Sequence, residues 1–528
     1  MTASVEGAAP PAPATDTAPA QAPNRRIIFF GVVLGANLQV LDTTMATVAL
    51  PRIQGALSAT QDEVTWVLAA YLIAVAIVMP MIGYLSNRFG RKRLFLVASM
   101  GFVIASIFAA SSASLIELVV WRFVQGVFSA PLVPISQSFI FDAYTGEERG
   151  EAMGIWTVGI MAGGMFGPAL GGYVAEFHSW RWAFYINVPI GLVSFALVFI
   201  FAPVRRVRDQ VRPFGLIGFL IITTGLVALQ LVLSQGERLD WVNATEIIVG
   251  MGIVVTSVYL FALHTATSNC PYIEVGVFQD RNFVLGWCLI TIMGAQWLAF
   301  LAMVSPYMQV LAGYPVVTAG MAMVPHGLAF AIAAITAGRL LRIFQPKILI
   351  FVGISLVFYA DWQVSLLTPA FEPIDFITIM FGHGLGLGFA FVPLTVLTFS
   401  TLPSRHIDIG TGLYSLGRNL GSSIGASLAV AYLVRTTQAN HAHLSEYVSP
   451  FNEALRHVPL PSTWNLAELA GLAALNVEAT RQASIMAYVS DFRLMALVTL
   501  LTIPLLLLTR YSRFGKSPVG DAASGSGD

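Results

Sequence analysis

The chain has 528 residues, of which 56% are hydrophobic and only 11% charged, with 28 basic and 28 acidic residues in balance. Soluble domains average about 25% charged, so lipid rather than water is the solvent for most of this chain, and the zero net charge excludes a nucleic-acid footprint at the whole-chain level. The only cysteines, Cys270 and Cys288, exclude a disulfide scaffold, and neither belongs to a zinc-binding spacing.

Residues 1–24 are rich in Ala and Pro and have no apolar core, which predicts a disordered tail and not a signal peptide. Apolar runs then follow at 27–48, 64–84, 94–112, 116–141, 151–174, 183–203, 214–234, 246–265, 283–305, 316–337, 347–367, 375–399, 408–433 and 490–510. Each is long enough to cross a bilayer as a helix, which takes about 20 residues. None alternates with the period of two that a strand requires. An even number of spans puts both termini on one side. Nineteen of the 28 Lys and Arg residues, including every lysine, fall on that side, so both termini are expected to be cytoplasmic.

The first span holds one acid, Asp42, in LQVLDTTMATVALP (38–51). A charge at the centre of a membrane helix costs roughly 2.5–3.5 kcal/mol on insertion scales, so Asp42 is expected to face a bundle interior or a water-filled cavity. There it either pins packing or titrates. It lies about 22 Å from the cytoplasmic end of the span, in the outer half of the membrane. Gln39 lies one turn earlier on the same face. Two spans hold a guanidinium: Arg122, on one face with Gln125 and Gly126, and Arg418. Gly83, Arg88, Gly90 and Arg91 lie in GYLSNRFGRKR, between the second and third spans. Gly159, Gly163, Gly167 and Gly171 recur every four residues in the fifth, with Pro168 in the same stripe. Such stripes let helix backbones approach closely, and the Pro bends the helix. Asp361, near the outer end of its span, is compatible with an interfacial position. His326 and His383 read as packing residues, and no paired His/Asp motif is legible.

QGVFSAPLVPIS (125–136) resembles HGLGLGFAFVPLT (383–395) at a spacing of 258, and GYLSNR (83–88) resembles GRLLRI (338–343) at 255. Two parallel six-helix halves with two helices inserted between them follow from this weak repeat. The boundaries are a tail at 1–24, a first bundle at 25–203, a linker with two extra helices at 204–270, a second bundle at 271–510 and a cytoplasmic tail at 511–528. One long outer loop, 434–489, interrupts the second bundle.

These features together resemble the major facilitator superfamily and, within it, the fourteen-helix drug:proton antiporters of the EmrB/QacA type. The first-span stretch, the GYLSNRFGRKR loop, WRFVQGVFSAPLVP (121–134), GIMAGGMFGPALGG (159–172), WRWAFYINVPIG (180–191) and YSLGRNLGSSIGAS (414–427) carry the resemblance. The long outer loop, with SPFN inside it, is similar to EmrB rather than QacA. The resemblance implies an all-α membrane protein of major facilitator fold, with proton coupling at Asp42 and Arg122. It implies a substrate cavity that includes Gln39, Gln125 and Arg418, and conformational roles for Gly83, Arg88, Gly90, Arg91 and the fifth-span stripe, which acts as the pivot between halves. Asn87 replaces the usual acid of the loop, which implies a weakened lock there. Asn187 and Pro189 are assigned structural roles. The implied activity is proton-driven export of hydrophobic or amphipathic compounds across a bacterial inner membrane, with a periplasmic membrane-fusion adaptor and an outer-membrane channel as partners. A dedicated exporter of a siderophore, lipid precursor or secondary metabolite carries the same signature. No cofactor is implied, and no phosphate-binding GxxxxGK[ST] is present.

Overall fold

The computed structural model describes residues 24–144, 148–203, 214–268, 272, 275–314, 316–366, 373–448, 464 and 468–510. The expected tails (apart from Asn24), the basic run 204–213, Cys270 and the SPFN stretch lie outside the described residues. Fourteen long helical units are found among them: α1 (Arg25–Ala56), α2 (Trp66–Phe89), α3 (Arg91–Ser111), α4 (Leu115–Ala143), α5 (Glu148–Phe177), α6 (Trp182–Phe201), α7 (Leu216–Gln235), α8 (Thr245–Thr267), α9 (Arg281–Gln309), α10 (Val316–Leu340), α11 (Pro346–Val364), α12 (Pro373–Thr398), α13 (Ile407–Glu446) and α14 (Leu469–Leu508). Thirteen are long and apolar enough to cross a membrane. The exception is α13, which carries Asp408, Arg418 and Asn419 along its length. It occupies the place of the expected span 408–433. Buried residues run along it from Ile407 to Ala431, so the neighbouring helices shield much of its length.

Local chemistry sets the helix ends. Gly90 joins α2 to α3 with φ of 83°, a conformation that costs a side chain strain and glycine nothing. Ser114 caps α4 and Asp280 caps α9 by accepting the backbone N–H groups of Glu117 and Phe283. Lys92 donates to the carbonyls of Phe199 and Ala202 at 2.8 and 2.6 Å, closing the C-terminal end of α6.

Helices α1–α6 and α9–α14 form two bundles. The inserted α7 and α8 pack on each other, and α7 also touches α2 and α13. There Ser427 donates to the Leu233 carbonyl at 2.8 Å. Within the outer loop expected at 434–489, the described stretches 434–446 and 469–489 are helical. α13 and α14 are 40 residues each, about twice a bilayer span. Both continue past the expected helix ends as a paired arm, joined by Asn440 to the Ala483 carbonyl and by His441 to Asn476. Neither stretch contains a helix-breaking proline, so each helix continues to the end of its packing partner.

The halves meet in a repeated pattern. A Cβ on Gly83 of α2 would press on the Ile409 backbone of α13 at 2.9 Å, and one on Gly338 of α10 would press on the Gly150 carbonyl of α5 at 2.6 Å. Each contact sets the second span of one half against the fifth span of the other. The weak sequence repeat therefore reappears as a pseudo-two-fold contact. Gly154 extends the second contact against the Ala334 carbonyl at 2.6 Å, and Gly327 meets Met165 further along the same helix pair.

Gly338→Val is expected to hold the halves apart at the end where α5 begins and α10 ends. Spin labels at the exposed positions Arg88 and Ile343, read by pulsed electron resonance, should show one short distance in the parent chain and a longer, broader distribution in the variant. Identical distributions would contradict this packing.

Candidate functional site

Asp42 lies near the middle of the 32-residue α1, because the helix runs through Pro51 to Ala56 instead of ending at 48. Its side chain is fully buried. Three donors from two other helices converge on it. Arg122 Nη1 donates to Oδ2 at 2.5 Å, and both Gln125 Nε2 and Asn187 Nδ2 donate to Oδ1 at 2.8 Å. None of these groups is an acceptor at the atom it presents, so the surroundings suit a carboxylate and not a carboxylic acid. Arg122, also fully buried, is held independently of Asp42. Nη1 reaches the Gln125 Oε1 at 2.7 Å, Nε reaches the Val67 carbonyl at 3.1 Å, and the guanidinium lies 4.4 Å over the Tyr71 ring and 5.5 Å from that of Phe184. Gln125 is oriented in turn by Ser106 at 2.8 Å. A buried pair of this kind recovers its desolvation cost only when further hydrogen bonds complete it, and α3, α4 and α6 supply them.

Asp42, Arg122 and Gln125 come together as the sequence suggests. Asn187 does not stay structural: it is the third donor to Asp42. The only signal for it was a polar residue at the start of an apolar span. Gln39 is buried one turn from Asp42 but does not bond to it, and its Oε1 has no hydrogen-bond partner. Arg418 sits half-buried on α13, away from this cluster, with no acid paired to it among the described residues.

The glycine stripe of α5 does not form the seam between halves. Gly163 faces the Leu41 backbone at 2.9 Å, Gly171 faces Met45 at 2.8 Å, and Gly159 and Gly167 face Val33 and Thr44, all on α1. Asn37 donates to the Gly159 carbonyl at 2.6 Å and Thr44 to the Gly163 carbonyl at 3.2 Å, which ties the two helices within one half. Gly150 and Gly154 turn the other side of α5 toward α10. Pro168 lies in the stripe, one residue past Gly167. Thus α5 bridges α1, which carries Asp42, to the opposite half.

Two ion-pair latches join the halves at the end of the molecule where α1 begins. Arg91 pairs with Asp142 and, at 2.7 Å, with Asp408 of the opposite half. Ser86 donates to the same carboxylate at 2.6 Å. On the other side of the pseudo-axis Glu151 takes Arg342 at 2.5 Å and Arg339 at 3.5 Å. The lock that Asn87 seemed to weaken is therefore present, with Asp408 and Asp142 as its acids. Arg88 is exposed and takes no part. Asp408 and Glu151 each stand in the first turn of a fifth span, 257 residues apart, so the repeat contained the signal that pairs them.

Asp361 is not interfacial. It is fully buried and accepts from Gln296, with Thr499 at 3.5 Å and His383 Nε2 at 3.7 Å. His383 Nδ1 lies 3.0 Å from His326 Nε2, and its ring stacks on Phe300 at 3.6 Å between centroids. A His/Asp constellation thus exists that no local spacing reveals, because α11, α12 and α10 contribute one residue each.

Two parallel six-helix bundles around buried charges define a multi-pass secondary transporter, and the comparisons agree. The family model described as Major Facilitator Superfamily matches residues 32–426, and the chain belongs to that family. Within it the chain is of the EmrB type. It is 31% identical over 429 residues to "Multidrug export protein EmrB" of Haemophilus influenzae, covering 81% of this chain and 84% of the relative. It is also 28% identical over 485 residues to "Fatty acid resistance protein FarB" of Neisseria gonorrhoeae, covering 90% and 94%. The fold matches that of the proton:xylose symporter XylE with a TM-score of 0.56 at 14% identity, over 90% of this chain and 95% of that one.

Arg122→Gln leaves the Asp42 carboxylate buried without its cation, a loss of about 3–5 kcal/mol. Thermal unfolding in detergent should show this deficit at neutral pH. The deficit should shrink as pH falls, because protonation neutralises the stranded acid, and it should shrink in the Asp42→Asn background. Unchanged stability at neutral pH would contradict the pairing.

Proposed function

We propose that the chain is a proton-coupled exporter of hydrophobic or amphipathic compounds, in which Asp42 exchanges its bond to Arg122 for a proton. The observation that carries this reading is the buried, fully paired Asp42–Arg122–Gln125–Asn187 cluster in a chain of this family. In the conformation at hand the latches close one side, and every atom facing Asp42 is a donor. With both termini cytoplasmic, the latched side is the inside, and Asp42 takes its proton from the outside. Protonation frees Arg122, which retains Gln125, the Val67 carbonyl and the Tyr71 face. Loss of the ion pair loosens α1, and α5 carries the change to α10, where the halves meet. Gln39, with an unfilled acceptor beside the cluster, is assigned to the substrate cavity, as is Arg418.

The driving force is adequate without nucleotide: about 1.4 kcal/mol per proton per pH unit and about 2.3 kcal/mol per charge per 100 mV. The paired arm of α13 and α14 extends beyond a bilayer span on the outer side. It is the surface assigned to a periplasmic adaptor and, through it, an outer-membrane channel. A second reading, a dedicated exporter of an amphipathic acid, is favoured by one feature: Arg418 is a half-buried cation without an acid partner among the described residues, suited to a carboxylate headgroup.

Proteoliposomes loaded with ethidium or a long-chain fatty acid, whichever the parent chain exports, test the coupling. Asp42→Asn should abolish efflux driven by an imposed pH difference. Full retained pH-driven efflux would remove Asp42 from the mechanism. Export of the fatty acid alone would select the second reading.

A further inference from the structure

The second half contains a buried acid that the coupling reading leaves unused. Asp361 lies 15 residues into α11, about 22 Å from its cytoplasmic end, a depth like that of Asp42. Unlike Asp42, it has no cation. Its Oδ2 accepts from the Gln296 amide and the Thr499 hydroxyl, and its Oδ1 has no hydrogen-bond partner. The nearest polar atom recorded facing Oδ1 is His383 Nε2, itself without a partner, at 3.7 Å. Two orphaned buried atoms facing each other is costly unless a proton sits between them. On its far side His383 meets His326 through Nδ1 and Nε2 at 3.0 Å, so one of those nitrogens carries a proton toward the other. Phe300 stacks on His383 and holds the ring plane in line.

We propose that Asp361, His383 and His326 form a second proton-binding site, independent of Asp42, that passes a proton between α11 and α10. In the neutral chain the Asp361 hydroxyl points at His383 Nε2, and His383 Nδ1–H donates to His326 Nε2. The shift breaks the Asp361 O–H bond and forms His383 Nε2–H. It breaks His383 Nδ1–H and forms His326 Nε2–H. Asp361 ends as a carboxylate, His383 remains neutral and His326 ends as an imidazolium, so charge and protons balance. The 3.7 Å gap is too long for a direct bond and closes by side-chain adjustment or one water.

The receiving end is placed to matter. Gly327, next to His326, meets Met165 of α5 across the line between the halves, and the His326 carbonyl packs against Gly384 of α12. The repeat spacing of 258 sets His383 opposite Gln125 and Phe300 opposite Asp42. The second half thus keeps a polar relay at the same place, with the acid moved from its first span to its third. Within the same stretch of the surrounding helices stand Tyr307 on α9, Tyr359, which is exposed, on α11, and Tyr488 and Asp491 on α14, with Arg493 exposed on α14; Arg281, Cys288, Arg339, Lys347, Asp375, Glu478 and Arg481 are the further titratable groups of α9 to α12 and α14. No Lys or Arg pairs with Asp361 among the described residues.

The place of this site in the transport cycle rests on the antiport reading; its protonation does not. The test is ring-nitrogen NMR of the full chain in nanodiscs with labelled histidines, titrated from about pH 5 to about pH 9, the range in which histidine changes charge. The His326 and His383 signals, assigned by His326→Gln and His383→Gln, should titrate together. They should do so equally in the Asp42→Asn chain, and their midpoints should move by about a pH unit or more in Asp361→Asn. Proton uptake by the protein in weak buffer should fall by one per chain in Asp361→Asn. His383→Gln, which places an amide where the other half has one, should give the same one-proton loss if Asp361→Asn does not fold. Histidine signals that do not move with pH, or that move identically with and without Asp361, would overturn the relay. Failure of Asp42 in the liposome experiment would leave this result unaffected.

Discussion

A carboxylate out of water must have donors, and the arrangement of the first half follows from meeting that need at Asp42. Lipid supplies none, so four helices converge on one side chain: α1 presents the acid, α4 the guanidinium and Gln125, α6 Asn187, and α3 the serine that orients Gln125. Every atom that faces the acid is a donor, so the network matches a carboxylate.

Packing links this cluster to the line between the halves. Glycines on one side of α5 clamp it to α1, and glycines on another side set it against α10. A helix gripped on two sides cannot respond to α1 without moving relative to α10. Two latches cross that seam: Arg91 with Asp408 and Glu151 with Arg342 both join opposite halves at the end where α1 begins. These pairs are partly exposed, so each contributes modestly alone. Placed symmetrically about the pseudo-axis, they resist opening together.

Much of this was legible in the sequence. Apolar runs gave the spans, the basic residues gave an orientation, and the repeat gave the two halves. Local spacing brought Arg122, Gln125 and Gly126 to one face, and Asp42 stood out because a lone acid in an apolar run is costly whether it pins packing or titrates. What stayed hidden was cross-helix. Asn187 and the members of the Asp361–His383–His326 chain are single polar residues on separate helices, and no spacing along the chain records what they meet; for Asp408 and Glu151 the repeat marks equivalent places but not their basic partners. The glycine stripe was visible but its partner was not, since small residues announce a close approach without naming what approaches. The long outer loop is helix-prone through NLAELAGLAALNVEATRQA (465–483), and 469–483 is helical, but the continuity of these helices with the spans was not legible. Polar surface on α13 and α14 reads as loop by hydropathy, yet paired helices satisfy their backbones internally and continue beyond the membrane.

The central claim is that export is coupled to a proton that Asp42 takes in exchange for its bond to Arg122. It is tested most directly by proton release on binding, in detergent and weak buffer, with ethidium or a long-chain fatty acid added to the purified chain. The account predicts that the transported compound releases protons from the parent chain at a pH where Asp42 is protonated, and that this release disappears in Asp42→Asn while binding persists. Binding without proton release in the parent chain at every pH tested would contradict it.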